Sequence, residues 1–429
     1  MKYFLFALLT LLLLSSAMVL GQTREVVSAA PASLTAADSQ KLEELRRAGI
    51  EALYNLDYDK AQKEFKEIVR LYPSSPAGPQ LLAARLWIKT LYDTRRLQAS
   101  LYSSEGFYSS GDDKVDPNLV AEFRGLSRDA KRLAELQLKQ NPKDVDALDW
   151  LAVIEGLKAT FEEAVERRHF AALRDGNDAV DHHRDVLKLD PTRIDANLTI
   201  GLYEYAVASL PLPVRVVVGV AGFRGSKKKG LALIEDVMKN GHWSSEDAKT
   251  LLIVLYTREK RFADALVLAR ELAAKYPRNY LFRLEAADAL VSQAEVERGN
   301  KNIGAAVLAE REAFATFEEI LHDRTVRDTV SRALDLVHFK YGEVLLTAGE
   351  GERAAKEFLA ATRVDHAEPS LVTMAHLYAA RAYDLAGKRD DALAQYREVL
   401  TRPDIYAAHD EAKKGLRQPY KVEIASNSL

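Results

Sequence analysis

The sequence predicts an all-α protein assembled from repeated helical hairpins, and three observations carry that prediction. Four times an alanine on an amphipathic stretch is followed 12 residues later by a proline: Ala61 to Pro73, Ala130 to Pro142, Ala179 to Pro191 and Ala265 to Pro277. An alanine lets two helices cross closely, and a proline, which lacks an N–H and clashes with the preceding turn, stops the second of them. Apolar residues recur with helical spacing from near Ser39 to Leu416, and no convincing run of alternating residues marks a strand.

Composition removes several function classes. The chain has 429 residues, 48% hydrophobic and 29% charged, which is material for one long helical array or several domains. A net charge of -3 from 60 basic and 63 acidic residues leaves no single-sign field, so binding of nucleic acid through its phosphates is not expected. There is no cysteine, and hence no disulfide, thiol nucleophile or thiolate metal site.

In chain order, Met1 and Lys2 precede an apolar run from Tyr3 to Leu14, then small residues and a Val19-Leu20-Gly21 cleavage signal. Residues 1–21 read as a secretory signal, with the mature chain starting at Gln22. The alternative is an uncleaved membrane anchor formed by residues 3–20. The absence of a lipidation cysteine makes a periplasmic or secreted protein the expectation. Residues 22–38 read as a flexible leader, 39–210 as a first repeat block with an insertion at 94–118, 211–245 as an irregular connector with a helix, 246–416 as a second block, and 417–429 as a flexible tail.

The first clear hairpin is Leu42 to Ser75. Ala61, Phe65, Ile68 and Tyr72 form one apolar stripe of its second helix, while Lys60, Lys63, Glu64, Lys66 and Glu67 lie off it. Gly49, Ala61, Phe65 and Pro73 occupy the small, small, aromatic and proline positions of a tetratricopeptide repeat, which this unit resembles. The resemblance implies a tetratricopeptide-like solenoid of roughly seven to eight hairpins with irregular insertions. Further matches are Glu246 to Asn279 through Tyr256, Phe262, Ala265, Leu272 and Pro277, with Ile253 where a small residue is expected. Asp335 to Ser370 matches through Gly342, Ala354, Phe358 and Ala361, with His366 in place of proline. Thr373 to Asp404 matches through Ala380, Tyr383, Ala392 and Tyr396.

Two interruptions stand out. Thr94 to Asn118 is polar and turn-rich yet carries Tyr102, Phe107 and Tyr108, a candidate lid over a groove as against a plain insertion. Gly201 to Gly241 contains Gly201-Leu202-Tyr203, Ser209-Leu210-Pro211-Leu212-Pro213, Gly222-Phe223-Arg224-Gly225 and Lys229-Gly230-Leu231. This stretch resembles the central signature of the mitochondrial outer-membrane inclusion-body-clearance proteins and their tetratricopeptide relatives. The export signal departs from that group, so the organelle context is not carried over. Within it, Val214 to Val220 is expected as a buried packing helix between the blocks, the rival being a segment that touches a membrane or docks a partner. It is too short to span a bilayer. Lys227, Lys228 and Lys229 read as a solvated basic turn before a helix capped by Ser226, since no phosphate-loop pattern is present.

Catalytic chemistry is thin. Glu166 with His169 and Glu319 with His322 have the Glu-x-x-His spacing that places a carboxylate and an imidazole on one helical face, with Glu162 and Glu163 as further candidates for a helical di-metal site. The pairs are 153 residues apart in an extended array, so surface decoration is preferred. Adjacent His182 and His183 point about 100° apart on a helix and read as partly exposed. No nucleophile elbow or nucleotide fingerprint is present. No enzyme, metal or cofactor is therefore expected.

Tetratricopeptide arrays present first-helix side chains along a concave groove suited to a peptide or partner helix. The family spacing places Glu43, Arg46, Ile50, Thr250, Val254, Thr257, Leu377, Arg381 and Asp384 along it. Arg46 and Ile50 stand where the carboxylate clamp for chaperone tails needs lysine and asparagine, so that ligand is not expected. The sequence reading is a non-enzymatic extracytoplasmic scaffold binding a protein or peptide. The alternative is a lipid or small-molecule module using residues 214–220 and 102–108, and a weaker one a metal-dependent enzyme. Membrane contact is expected only through an uncleaved N-terminal segment.

Overall fold

The computed structural model describes residues 36–97, 116–220, 222–331 and 333–421. The signal, most of the leader, the candidate lid residues Tyr102, Phe107 and Tyr108, and residues 422–429 lie outside the described residues. Among the described residues there are helices and no strand. They divide into two compact units, 36–93 with 116–260, and 94–97 with 261–421.

The first unit comprises α1 (Ala36–Tyr54), α2 (Tyr58–Leu71), α3 (Ala77–Asp93), α4 (Pro117–Gln140), α5 (Val145–Phe161), α6 (His169–Leu189), α7 (Asn197–Ala208), α8 (Leu212–Val220), α9 (Lys227–Asn240) and α10 (Ser245–Arg258). The second comprises α11 (Phe262–Lys275), α12 (Tyr280–Gly299), α13 (Ile303–His322), α14 (Arg327–Val330), α15 (Leu334–Thr347), α16 (Gly351–Ala361), α17 (Pro369–Leu385), α18 (Arg389–Leu400) and α19 (Ala408–Arg417). Sequence neighbours pack on one another, most extensively α5 on α6, α12 on α13, α15 on α16, α11 on α12, α17 on α18 and α1 on α2. The fold is an all-α stack of helical hairpins.

The alanine-to-proline cadence has the expected cause. Ala61, Ala130, Ala179 and Ala265 are fully buried, and α2, α4, α6 and α11 each end two residues before their proline. Starts are fixed by side-chain caps: Asp57 accepts from the Lys60 N–H at 3.2 Å and Asp144 from the Ala147 N–H at 3.0 Å, groups a helix cannot satisfy itself. Gly49 is obligatory for contact, since a Cβ there would lie 2.2 Å from the Phe65 ring.

The stretch 211–245, expected as a connector between two repeat blocks, lies wholly inside the first unit, because α9 packs on both α7 and α10. The α7–α9 crossing explains its glycines. A Cβ on Gly230 would meet the Gly201 carbonyl oxygen at 2.5 Å, and one on Gly201 would meet the Gly230 carbonyl oxygen at 2.9 Å. Since α7 packs directly on α9, α8 stands outside the stack. Gly222, at φ 94, turns the chain back after α8, and the Phe223 N–H bonds the Val218 carbonyl at 3.0 Å. The hairpin expected over 246–279 has α10 in the first unit and α11 in the second.

Candidate binding surface

In the first unit a buried polar cluster joins α1 to the turn before α10. Arg46 on α1, 3% exposed, lies over the Trp243 ring at 4.1 Å and beside the Trp150 ring at 5.3 Å. Burial lowers its guanidinium pKa to about 10, against the opposing charges of Glu43, Asp149, Asp195 and Asp247. Trp243 is held in place by Asp195, whose carboxylate accepts the backbone N–H groups of His242, Trp243 and Ser244 at 3.1, 3.0 and 2.8 Å. The Tyr54 hydroxyl donates to Asp247 at the start of α10.

The candidate groove residues are accordingly engaged within their own units. Arg46, Val254 and Leu377, expected on a groove wall, are buried. Glu43 pairs with Arg47 at 3.3 Å, and Ile50 is half-buried. The Thr250 and Thr257 hydroxyls donate to the carbonyls one turn back, of Glu246 and Ile253, both at 2.8 Å. In the second unit Arg381 pairs with Glu411 of α19 at 2.7 Å and lies over the Tyr378 and Tyr420 rings at 5.2 and 5.1 Å. Asp384 accepts from Arg389 at 2.7 Å, the Tyr396 hydroxyl at 2.9 Å and the Tyr420 N–H at 2.8 Å. All nine positions lie on the helices α1, α10 and α17, but Glu411 of α19 and Tyr420 engage Arg381 and Asp384.

The acidic candidates are also rearranged. Glu162–Glu166 forms a π-helical turn after α5, and Arg167 adopts φ 58. Glu166 and His169 therefore do not share one regular helical face, which corrects the spacing argument. Glu166 pairs with Arg124 at 2.6 Å, and His169 reaches Glu163 at 2.9 Å instead. His322 bonds the Glu318 carbonyl at 2.7 Å, and Glu319 with His322 belongs to the other unit. Glu162 is pushed up to about 7, mainly by burial and then by the neighbouring Asp175 carboxylate. His183, expected to be partly exposed, is buried against Asp149 at 3.2 Å, whereas His182 lies 3.3 Å from Glu155. Among the described residues no group of three or more His, Asp or Glu side chains could hold a metal ion.

The open surface lies elsewhere in this unit. A narrow apolar cleft with a cavity volume of about 30 Å³ runs between α5, α6 and α7. Gly156, Ala159, Ala172 and Gly176 leave the space, and Leu173, Leu202, Tyr203 and Leu210 wall it. Tyr203 also borders a polar pocket with Asn177, Arg184, Arg224 and Ser226. The Ser226 N–H and the Lys229 ammonium both bond Glu204, at 3.1 and 2.7 Å, and Lys227 pairs with Glu259 at 2.6 Å, so two of the three lysines of the basic turn are used internally. Beside the cleft, α8 touches the core through Val218, which packs with Val207 and Leu210 against Leu173, Tyr203 and Phe223. Residues 214–220, expected as a buried packing helix, are instead largely exposed, Val217 at 66% and Val220 at 88%. Nothing in the hydropathy distinguishes a buried from an exposed apolar segment of this length.

These features define a helical-repeat protein with a solvent-open apolar cleft in its first unit. Residues 47–75 match a tetratricopeptide-repeat family model, the hairpin α1–α2 on which the sequence resemblance rests. Among curated proteins, none matches the chain. Among solved structures, a human IFIT1 dimer with PPP-AAAA is 15% identical, covering 89% of this chain and 85% of that chain with a TM-score of 0.45. A tetratricopeptide repeat protein from Parabacteroides merdae is 15% identical, covering 78% and 99% with a TM-score of 0.32. Yeast Tom70 is 14% identical, covering 88% and 95% with a TM-score of 0.30. Likenesses at this level carry no information on ligand.

Proposed function

We propose that the protein is a non-enzymatic scaffold that works outside the cytoplasm and holds a protein partner through the α5–α6–α7 cleft. The observation that carries this reading is the cleft itself: a small apolar group of a partner fits its roughly 30 Å³ between Gly176, Ala159 and Leu202, while Asn177, Arg184 and Arg224 offer polar rim contacts next to it. An apolar anchor in a pocket with a polar rim is how binding energy concentrates at protein interfaces. Most residues that the family spacing assigns to a concave groove are buried or paired within the protein, which favours the cleft. The extracytoplasmic setting is supported by the N-terminal signal pattern. The likeness of residues 201–231 to the inclusion-body-clearance group is kept as a proposal about ancestry and supplies no ligand.

The test is affinity capture from an envelope extract with the full chain, Gly176→Ala and Gly176→Phe. A Cβ at Gly176 meets only Ala159 and Tyr203, both at 3.8 Å, so alanine is accommodated and phenylalanine fills the cleft. A recurrent protein kept by Gly176→Ala and lost on Gly176→Phe is the expected result. Retention of that protein by Gly176→Phe, or a stoichiometric lipid on organic extraction, overturns the reading.

A further inference from the structure

We infer that α8 is a membrane-docking element that lies in the interfacial plane of a bilayer rich in anionic lipid. With a turn of about 100° per residue, Leu212, Pro213, Val216, Val217 and Val220 fall within an arc of about 140°, and Val218, the buried contact, lies opposite. Leu212 is 64% and Val216 59% exposed, so this arc inverts the usual arrangement in which the apolar stripe of a helix faces the core.

Charge selects the occupant. Between Glu204 and Glu235 there is no acidic residue, and there are five cations, Arg215, Arg224, Lys227, Lys228 and Lys229. Lys227 and Lys229 are paired with Glu259 and Glu204. Arg215, Arg224 and Lys228 are exposed and have no carboxylate partner among the described residues. Arg215 gives one N–H to the Ala208 carbonyl at 3.0 Å and keeps further donors. A flat aliphatic arc lacks the packed aromatic and arginine anchors of a protein hot spot. An apolar face too short to cross a bilayer, with Arg215 on its own helix and Arg224 and Lys228 just after it in sequence, matches a helix buried at the level of the headgroups. Each cation near an anionic surface raises binding about fivefold. This inference shares Arg224 with the rim of the cleft but does not rest on the cleft reading, since no residue of α8 lines the cleft.

The chain has no cysteine, so Val217→Cys and Val220→Cys each accept a single environment-sensitive fluorophore in the full chain, with Val267→Cys on α11, 63% exposed, as the reference position. Vesicles of phosphatidylglycerol and phosphatidylcholine in equal parts should blue-shift the label at 217 and 220 but not at 267. Because the readout is local, attachment through residues 3–20 alone would not produce it. Arg215→Gln with Arg224→Gln should weaken the response about 25-fold. Circular dichroism matching the parent confirms folding of each variant. No shift at 217 and 220, an equal shift at 267, or a response indifferent to the arginine substitutions overturns the proposal.

Discussion

The Arg46 guanidinium stacks 4.1 Å from the centre of the Trp243 ring, joining two residues nearly 200 positions apart in sequence inside the first unit. The stack lets a buried cation remain where burial alone would expel it. Its indole partners desolvate it, and Asp149, Asp195 and Asp247 supply the opposing charge. Trp243→Ala should therefore destabilise the protein by about 2–3 kcal/mol, and Trp243→Phe by about 1 kcal/mol. Urea titration followed by far-UV circular dichroism checks this, and a Trp243→Ala midpoint indistinguishable from the parent would refute it.

Asp195 acts on the same turn through the backbone. Its carboxylate satisfies three consecutive N–H groups ahead of α10, which otherwise stay unpaired in a half-buried turn. Asp195→Ala should cost about 3 kcal/mol and Asp195→Asn about half of that, since one amide oxygen still accepts. Hydrogen exchange at residues 242–244 is the direct readout, and unchanged protection there in Asp195→Ala would be the contrary result.

Two glycines should respond in opposite senses. Gly230→Ala drives a methyl into the Gly201 carbonyl and the Tyr205 backbone, at 2.5 and 2.8 Å, so α7 and α9 must separate at a cost of about 2–3 kcal/mol. Gly125, inside α4, has nothing within 4 Å of its added Cβ. Gly125→Ala should stabilise by about 0.5–1 kcal/mol through helix propensity alone. Thermal melts of the two variants side by side decide the matter; shifts of the same sign would contradict it.

Glu162 makes stability depend on pH. Its carboxyl titrates at about 7 in the folded protein against 4.5 for the free group, because it is buried and faces Asp175. Between those values the folded state holds the extra proton, so the group's contribution is fully present below about 4.5 and is lost as pH rises through about 7. Glu162→Gln, a mimic of the protonated form, should match the parent at low pH and exceed it in stability at pH 8. Denaturation midpoints measured across that range test the sign, and a parental pH slope retained by Glu162→Gln would show that another group is responsible.

What the sequence determined by itself is the local grammar. Alanine, aromatic and proline at fixed spacing set where the helices of α1–α2, α6, α11 and α15–α18 run, because helix stops and close crossings are near-neighbour effects. The proline and glycine punctuation around Pro211 and Gly222 likewise marks a short helix followed by a turn. Whether that helix is buried was not legible, since burial of Val216 or Val220 depends on what else occupies the space. The Gly201–Gly230 crossing brings α7 directly onto α9 and leaves α8 outside. For the same reason Arg46 reads as a groove residue in sequence and becomes a buried cation in the fold: the turn before α10 brings Trp243 over it, and Asp247 accepts from Tyr54 on the same helix as Arg46. Identity and spacing of residues decided the hairpins; long-range packing decided which of their faces remain available to a partner.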